Sequence, residues 1–329
     1  IDEKAEGKPP SRLVPFLAWS LKGSYTAMAV ASIASILLGV IETHIAALIG
    51  HILDLFLEST PEHLFAEQWP ALLTAAIFLL LVKPASFFLS SYFQSFVINP
   101  GIRTMVATRM HRWVMGHPKS YFDNDFAGRI AQKEVQCANA IADVVVETIH
   151  TILFALASVV ASFWIIASID FRVGLIVFIW FVGFCFLMSF FLPRIKRSSS
   201  KRASAQAAAT GQIVDTISNI SIVKLFANLH HEDKVALNAF VLLKDSLQSY
   251  GRELIRFRAS MVLYAGLIFV AVMGSCIFLW TKGGVSPGET IAASSVAFRI
   301  MMMAGWVSFS LMSIYTNLGD VNDAMDTLA

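Results

Sequence analysis

The chain has 329 residues, of which 56% are hydrophobic and only 15% are charged. Soluble globular proteins carry charge on about a quarter of their residues, so this composition argues against a soluble domain and favours a membrane protein. The formal net charge of +2 is uninformative as a total, and no nucleic-acid partner is expected. Three cysteines without metal-ligand spacing are too few and too scattered for a disulfide framework.

The first structured segment that the sequence predicts is SRLVPFLAWSLK, residues 11–22. It is too short to cross a bilayer, but it combines several large apolar side chains with the flanking cations Arg12 and Lys22. This pattern is typical of an interfacial helix that lies along the membrane surface. The alternative is a frayed start to the first membrane span.

Six apolar runs follow, each near the roughly 20 residues that a transmembrane helix requires. They cover residues 25–53, 69–97, 143–168, 172–193, 259–281 and 288–316. Runs of this length fit α-helices rather than the shorter strands of a membrane barrel. The predicted fold class is therefore an all-α membrane protein with six transmembrane helices.

The Lys and Arg positions predict the direction of these spans. Nearly all of them lie in the three segments 1–22, 98–140 and 194–258, whereas the loops that alternate with these segments contain only Lys282. By the positive-inside rule the basic segments face the cytoplasm, so both termini are predicted to be cytoplasmic. The acidic tail, which contains no Lys or Arg after residue 316, is a mild exception.

The two longer basic segments are predicted to be helical extensions of the spans. Structureless loops of about 40 and about 65 residues are uncommon in compact domains, and no proline occurs between Pro193 and Pro287. Twenty additional helical residues would extend a span by ~30 Å into the cytoplasm. The run KRSSSKRAS, residues 196–204, is interpreted as a solvated helix face just inside the membrane, with a phosphorylation or anionic-lipid site as the alternative.

Two stretches interrupt these extensions at the points where the chain must reverse. Residues 117–130 contain Pro118, which breaks the incoming helix, and the turn-forming sequence Asp-Asn-Asp. Residues 210–224 contain Gly211 and Asn219, which are predicted to break the second extension. Short helices parallel to the membrane are expected at both tips.

Ionisable side chains inside the spans are costly and mark candidate functional sites. The candidate residues inside the predicted spans are Glu42, His44, Lys83 and Arg299. One hypothesis is that Arg299 lines a central pathway and attracts anionic groups of a substrate. The alternative is an internal ion pair in which Glu42 satisfies Arg299.

The sixth run is rich in adaptable side chains, among them Met302, Met303 and Trp306. Methionine serves promiscuous binding surfaces, but three consecutive methionines cannot all face one direction on a helix. At most one or two of them are therefore expected to line a cavity. No histidine or cysteine lies nearby, so no metal site is predicted.

The whole chain resembles the transmembrane domain of ATP-binding-cassette (ABC) exporters, the six-helix type of multidrug and lipid exporters. The tract SYFDNDFAGRI, 120–130, is similar to the family's first intracellular loop, and GQIVDTISNISIVKLFANLHHE, 211–232, is similar to its second. The order of six spans around these loops completes the resemblance. It implies a domain-swapped dimer, with a homodimer expected, in which two six-helix units enclose one pathway.

In that family the two tips are coupling helices that dock on the nucleotide-binding domains. The resemblance assigns the first to Tyr121, Phe122, Asp123, Asn124, Asp125, Phe126 and Ala127. It assigns the second to Gln212, Ile213, Val214, Asp215, Thr216, Ile217, Ser218, Asn219 and Ile220. The expected substrate pathway includes Glu42, His44, Arg299, Met302, Met303 and Trp306.

The resemblance also implies a domain plan and a mechanism. Residues 1–24 would be an N-terminal cytoplasmic segment, 25–316 the transmembrane domain, and 317–329 the start of a linker to a nucleotide-binding domain. That domain would bind ATP and Mg²⁺ and power export of an amphipathic or hydrophobic compound, as in multidrug efflux. A multi-pass location in a bacterial inner membrane is expected.

One departure from the family pattern is the lack of a G-x-x-x-x-G-K-[ST] phosphate loop in these residues. This chain alone is therefore not expected to hydrolyse ATP, and the ATPase would be fused or separate. A secondary transporter or channel subunit without an ATPase is the alternative function, and a regulatory or receptor subunit is a further one. Secondary transporters often show internal repeats, and no clear repeat is present in this sequence.

Overall fold

The computed structural model describes residues 8–58, 64–123, 127–225 and 229–328. All regular secondary structure in these residues is helical. Six of the helical stretches are long and apolar enough to cross a membrane. They cover Tyr25–Leu57, Gln68–Met115, Ile130–Ile169, Phe171–Ser218, Asp233–Trp280 and Pro287–Met325.

Twelve α-helices in chain order form this architecture within the described residues. They are α1 (Leu13–Leu21), α2 (Tyr25–Glu58), α3 (Leu64–Ile77), α4 (Lys83–Tyr92), α5 (Asn99–Met115), α6 (Lys119–Asp123), α7 (Ala127–Glu147), α8 (Phe154–Ile169), α9 (Phe171–Ser218), α10 (Ile220–Leu225), α11 (Leu229–Trp280) and α12 (Pro287–Leu328). The predicted all-α fold with six spans is confirmed. Each span is longer than its apolar run because the helix continues into polar sequence. Helical extensions of the spans were predicted.

Three π-helical segments interrupt the second and third spans: Phe78–Val82, Phe93–Ile98 and Thr148–Leu153. The first two end shortly before Pro84 and Pro100, respectively. A helical proline has no N–H and its ring collides with the carbonyl four residues earlier, so a widened preceding turn relieves that collision. A local change of helix type thus precedes Pro84.

The short helix α1 is separated from α2 by a turn in which Gly23 has φ 94°. Its C-terminal carbonyls accept hydrogen bonds from Arg109 of α5, whose side chain is buried. Arg109 Nη1 donates to Trp19 O at 2.9 Å and Ser20 O at 2.8 Å, and Nη2 donates to Lys22 O at 2.9 Å. A cation at the negative end of α1 stabilises that helix. The separate helix is confirmed, and its position at the membrane surface stays a prediction.

The chain divides into two compact units, of which the first contains Ile1–Phe181 and Ala265–Ala329. One buried apolar cluster of this unit joins α1, α5, α7 and the end of α12. From Ile98, the residue before α5, buried apolar side chains recur every fourth residue along α5, at Ile102, Val106, Met110 and Val114. This spacing places the apolar side chains on one stripe of the helix. That stripe packs α5 against the neighbouring helices.

Within the apolar part of the first unit, α2 packs along α8 and α12 through small residues. A side chain at Gly39 would come within 2.6 Å of Phe154 O, and one at Gly50 within 2.5 Å of the Ala292 Cβ. Lipid is as apolar as leucine, so helices in a bilayer gain by close packing of small residues. The glycines therefore bring these backbones close together.

The start of α12 is fixed by a capping box and by a carboxylate from α2. Ser286 N–H donates to Glu289 Oε2 at 2.7 Å, and Glu289 N–H donates to Ser286 Oγ at 3.0 Å. Asp54 accepts hydrogen bonds from Ser286 Oγ and from Gly288 N–H, both at 2.8 Å. These contacts satisfy amides at the N-terminus of α12 and place a negative charge at its positive end.

The second unit, Val182–Tyr264, contains most of α9, helix α10 and most of α11. Phe191 of α9 contacts Phe257 of α11 with ring centroids 5.5 Å apart. Further along, the guanidinium of Arg202 lies 4.7 Å from the ring centroid of Tyr250. Within this unit α9 and α11 are therefore antiparallel neighbours.

Candidate functional site

Arg299 of α12 reaches two hydroxyl groups on neighbouring helices of the first unit. Its Nη1 donates to Thr43 Oγ1 of α2 at 2.9 Å, and its Nη2 donates to Ser158 Oγ of α8 at 3.0 Å. Both hydroxyls are buried. The guanidinium thus joins three membrane-spanning helices at one point.

The two hydroxyl groups are oriented by the carbonyl of Gly39. Thr43 Oγ1 donates to Gly39 O at 2.8 Å, and Ser158 Oγ donates to the same oxygen at 3.1 Å. Their protons are therefore used, and their oxygen lone pairs face Arg299 as acceptors. The absence of a side chain at Gly39 permits this arrangement, because a Cβ there would lie 3.1 Å from Ser158 Oγ.

An aromatic pair lies beside the guanidinium. Arg299 Cζ is 5.8 Å from the ring centroid of Phe154, and the Phe154 and Trp306 centroids are 5.8 Å apart. Trp306 is 42% exposed in the single chain, so part of its indole faces outward. The site therefore combines a cation with an apolar aromatic surface.

Glu42 does not pair with Arg299, which corrects the predicted alternative of an internal Glu42–Arg299 ion pair. Its Oε1 lies 3.5 Å from Lys83 Nζ of α4. Glu42 directly precedes Thr43, and consecutive side chains point about 100° apart on a helix, so Glu42 faces α4 when Thr43 faces Arg299. Among the described residues no carboxylate lies within ion-pair distance of the Arg299 guanidinium.

The other predicted pathway residues are spread over different surfaces. His44 Nδ1 lies 2.9 Å from Val40 O, and the side chain lines a cleft of about 590 Å³ between α2 and α8. Met302 is 62% exposed, whereas Met303 is 6% exposed and packed inside the chain. The expectation that adjacent methionines face different directions is confirmed, and of this pair only Met302 is available at the surface.

A second polar set in the third span was missed by the sequence argument. Arg103 Nη2 donates to Asp143 Oδ1 at 3.0 Å, and Thr151 Oγ1 donates to Glu147 Oε2 at 3.0 Å. His150 Nδ1 lies 3.1 Å from the hydroxyl of Ser35. Asp143, Glu147 and His150 recur at i, i+4 and i+7, so a search for helical spacing of polar residues in that run would have found them.

The first predicted coupling segment lies partly in α6. Tyr121 of this helix contacts the rings of His117 and Phe122, with centroids 4.3 and 5.3 Å away. Phe122 is 39% exposed. Residues 124–126 of the prediction lie outside the described residues, so its remaining part stays a prediction.

The second predicted coupling segment is not a separate short helix over 212–220. Gly211 is helical, and 212–218 form the last two turns of α9, which ends at Ser218. The break lies at Asn219, whose Nδ2 donates to Asp215 O at 3.0 Å, and α10 begins at Ile220. Glycine inside a helix costs only about 1 kcal/mol, which a long alanine-rich helix offsets, so Gly211 does not end it.

Apolar side chains are exposed around this break in the second unit. Val214 is 57% exposed, Ile217 is 64% exposed and Leu225 is 80% exposed. These residues lie about 20 residues or more beyond the apolar run of α9, outside any predicted membrane contact. Exposed apolar clusters of this kind mark surfaces for contact with another protein domain.

Comparison with known proteins agrees with the geometry. The chain matches the ABC transporter transmembrane region over residues 28–304. It is 27% identical over 326 residues to an uncharacterized ABC transporter ATP-binding protein of Haemophilus influenzae. The alignment covers 97% of this chain but 52% of that relative, so the chain spans about half of its length. Since the family match covers most of the chain and the six helices agree with it, this chain belongs to the ABC transporter transmembrane region family.

Proposed function

We propose that the chain is the transmembrane domain of an ATP-driven exporter that moves amphipathic or hydrophobic compounds out of the cytoplasm by alternating access. Membership of the ABC transporter family supports the transport function. The Haemophilus influenzae relative is named as an ATP-binding protein. We therefore propose that a nucleotide-binding domain, fused or separate, binds ATP and Mg²⁺ and drives this chain.

The observation that carries the substrate proposal is the environment of Arg299. Two hydroxyl groups accept hydrogen bonds from Arg299 but do not neutralise its charge. Placing a cation in mid-span costs about 2.5–3.5 kcal/mol of insertion free energy. The presence of Arg299 in this position therefore favours a functional role. We propose that Arg299 attracts an anionic group of the substrate while Phe154 and Trp306 contact its apolar part.

The coupling proposal rests on the exposed apolar side chains near Asn219. ATP-driven closure of nucleotide-binding domains would press on this surface and on α6, and the long helices would carry the movement to the pathway. Such a cycle requires that ATP and substrate bind the inward-facing and outward-facing states with different affinity. A homodimer in a bacterial inner membrane, surrounded by lipid, completes the proposal by resemblance to the family.

The test uses the complete transporter, with its ATPase, reconstituted in lipid. Substrate-stimulated ATP hydrolysis is measured with matched amphiphiles, such as a fatty acid and its methyl ester. We expect Arg299→Ala to raise the half-maximal concentration of the anionic amphiphile about tenfold, as the loss of one charge-assisted contact implies. The neutral ester should change by less than about twofold.

Three variants serve as controls for this experiment. Arg299→Lys keeps the charge and should preserve most of the preference for the anion. Arg172→Ala and Lys282→Ala each remove an exposed cation near the end of a span, so neither should alter the preference. Equal loss for the acid and the ester in Arg299→Ala would show a structural role for Arg299 and refute the substrate contact.

A further inference from the structure

Five exposed cations of the second unit form two helical stripes beside the ends of apolar runs. On α9, Arg194, Arg197 and Lys201 recur at i, i+3 and i+7, just after the run that ends at 193. On α11, Arg252 and Arg256 recur at i and i+4, just before the run that begins at 259. Residues with these spacings share one face of a helix.

The packing of α9 against α11 places both stripes on the same side of the helix pair. The contacts Phe191–Phe257 and Arg202–Tyr250 identify the sides that face each other and show that the helices are antiparallel. At 100° per residue, each stripe lies roughly a quarter to a third of a turn from its facing side, in the same rotational sense when each helix is viewed along its own chain direction. The same sense on two antiparallel helices gives one common face, which we name the basic face.

The charge of the basic face is poorly balanced within the second unit. Arg256 Nη1 donates to Glu253 Oε1 at 2.7 Å, which neutralises one of the five cations. The next carboxylate on the α11 stripe is Asp245, seven residues before Arg252 and so about 10 Å further along the helix. The other four cations of the basic face thus lack an adjacent carboxylate on their own stripe.

Arg194 lies at the boundary between the apolar and basic parts of α9. Its guanidinium carbon is 3.5 Å from the ring centroid of Phe190, and its Nη1 donates to Phe190 O at 2.7 Å. The side chain thus folds back along the helix toward the apolar run. A long cation at the end of a membrane span takes such a position near the lipid headgroups.

We infer that the basic face of α9 and α11 binds the phosphate headgroups of anionic lipids in the cytoplasmic leaflet. Its cations are exposed, lie on one face and begin where two apolar runs meet polar sequence. Anionic headgroups attract Lys and Arg close to the membrane surface, whereas zwitterionic headgroups do so far less. The face would hold lipid beside the two helices that lead to the α9 tip.

The proposal is tested by titrating the purified full chain in neutral detergent with dioctanoyl phosphatidylglycerol or dioctanoyl phosphatidylcholine and counting bound lipids by native mass spectrometry. We expect phosphatidylglycerol to be preferred. The triple variant Arg197→Gln, Lys201→Gln, Arg252→Gln should weaken its binding at least about tenfold, since each cation contributes to headgroup attraction.

A matched control triple removes the same charge from the other side of the pair: Lys196→Gln, Lys244→Gln, Arg258→Gln. It should change phosphatidylglycerol binding by less than about twofold, as should the charge-conserving pair Arg197→Lys, Arg252→Lys. If the first triple fails to fold, the double variant Arg197→Gln, Arg252→Gln replaces it and should also weaken phosphatidylglycerol binding. Equal weakening by both triples, or equal binding of the two lipids, would overturn the proposal. Displacement of the lipid by millimolar inorganic phosphate would also overturn it, since the face would then bind soluble anions.

Discussion

At the scale of single residues, the Arg299 site depends on a backbone carbonyl. Gly39 O accepts the protons of Thr43 and Ser158, and these hydroxyls then accept from Arg299. The network lies between three helices, so a small displacement of one helix would break several hydrogen bonds together. In a low-dielectric interior such a network is strong when complete and costly when one member is lost.

Gly39→Ala should destabilise the protein and disturb this network. The added Cβ would lie 2.6 Å from Phe154 O, a backbone atom that cannot move aside as a side-chain end can. Overpacking of this kind costs about 1–3 kcal/mol. The measurement is the thermal unfolding temperature in detergent. Gly266→Ala, where an added Cβ meets no atom within 4 Å, is the control and should be neutral or stabilising. An unchanged unfolding temperature in Gly39→Ala would contradict the close packing.

The sequence could identify the ionisable residues of the spans but not their partners. Arg299, Glu42 and Lys83 were recognised because charge in an apolar run is conspicuous. Which of them meet depends on the rotation of each helix about its axis, and one residue of difference turns a side chain by about 100°. The sequence therefore left a Glu42–Arg299 pair open as one of two alternatives, whereas Glu42 contacts Lys83.

At the scale of elements, Arg109 shows how one side chain can join two helices. Sequence patterning recognised it only as one of several cations on the cytoplasmic side. In the structure its guanidinium caps α1 from α5 through three carbonyl oxygens. Nothing in the local sequence distinguishes it from the exposed Arg112, because the contact joins residues about ninety positions apart.

Replacing Arg109 should release α1 from α5. Arg109→Gln removes the charge and cannot reach all three carbonyls, so we expect a loss of about 1.5–3 kcal/mol, the range for hydrogen bonds to charged groups. Hydrogen exchange of the amides in Leu13–Leu21 should accelerate, while exchange in α8 stays unchanged. Arg112→Gln, on the same helix, is the control. Unaltered protection of α1 in Arg109→Gln would show that apolar packing alone holds it.

Helix ends were the least predictable feature at this scale. The apolar runs located all six spans because a bilayer requires about 20 apolar residues. Beyond the membrane, helix length depends on tertiary contacts, so Gly211 remained helical and the break fell at Asn219. The side chain of Asn219 bonds back to Asp215 O and Asp215 Oδ1, a local alternative to helical pairing that glycine lacks.

At the scale of the whole molecule, composition and motif order were enough to predict the fold and the family. Six apolar runs leave few arrangements, because a bilayer admits only structures with internally satisfied backbones. The two loop motifs between the spans then indicated ABC exporters, and the match to the ABC transporter transmembrane region agrees with that family. The substrate could not be predicted in this way, since one scaffold carries many functions.

Orientation is the remaining property of the whole chain on which export depends. The positive-inside rule places α9 beyond its apolar run in the cytoplasm and Lys282 outside. We expect a membrane-impermeant maleimide to label Lys282→Cys in intact spheroplasts and Gln206→Cys only after permeabilisation, since both positions are exposed. Cys185 is exposed and should first be replaced by Ser, whereas Cys137 and Cys276 are buried and serve as unlabelled internal controls. The reverse labelling pattern would place the apolar side chains around Asn219 outside the cell. No nucleotide-binding domain could reach them there, and the proposed drive by ATP would fail.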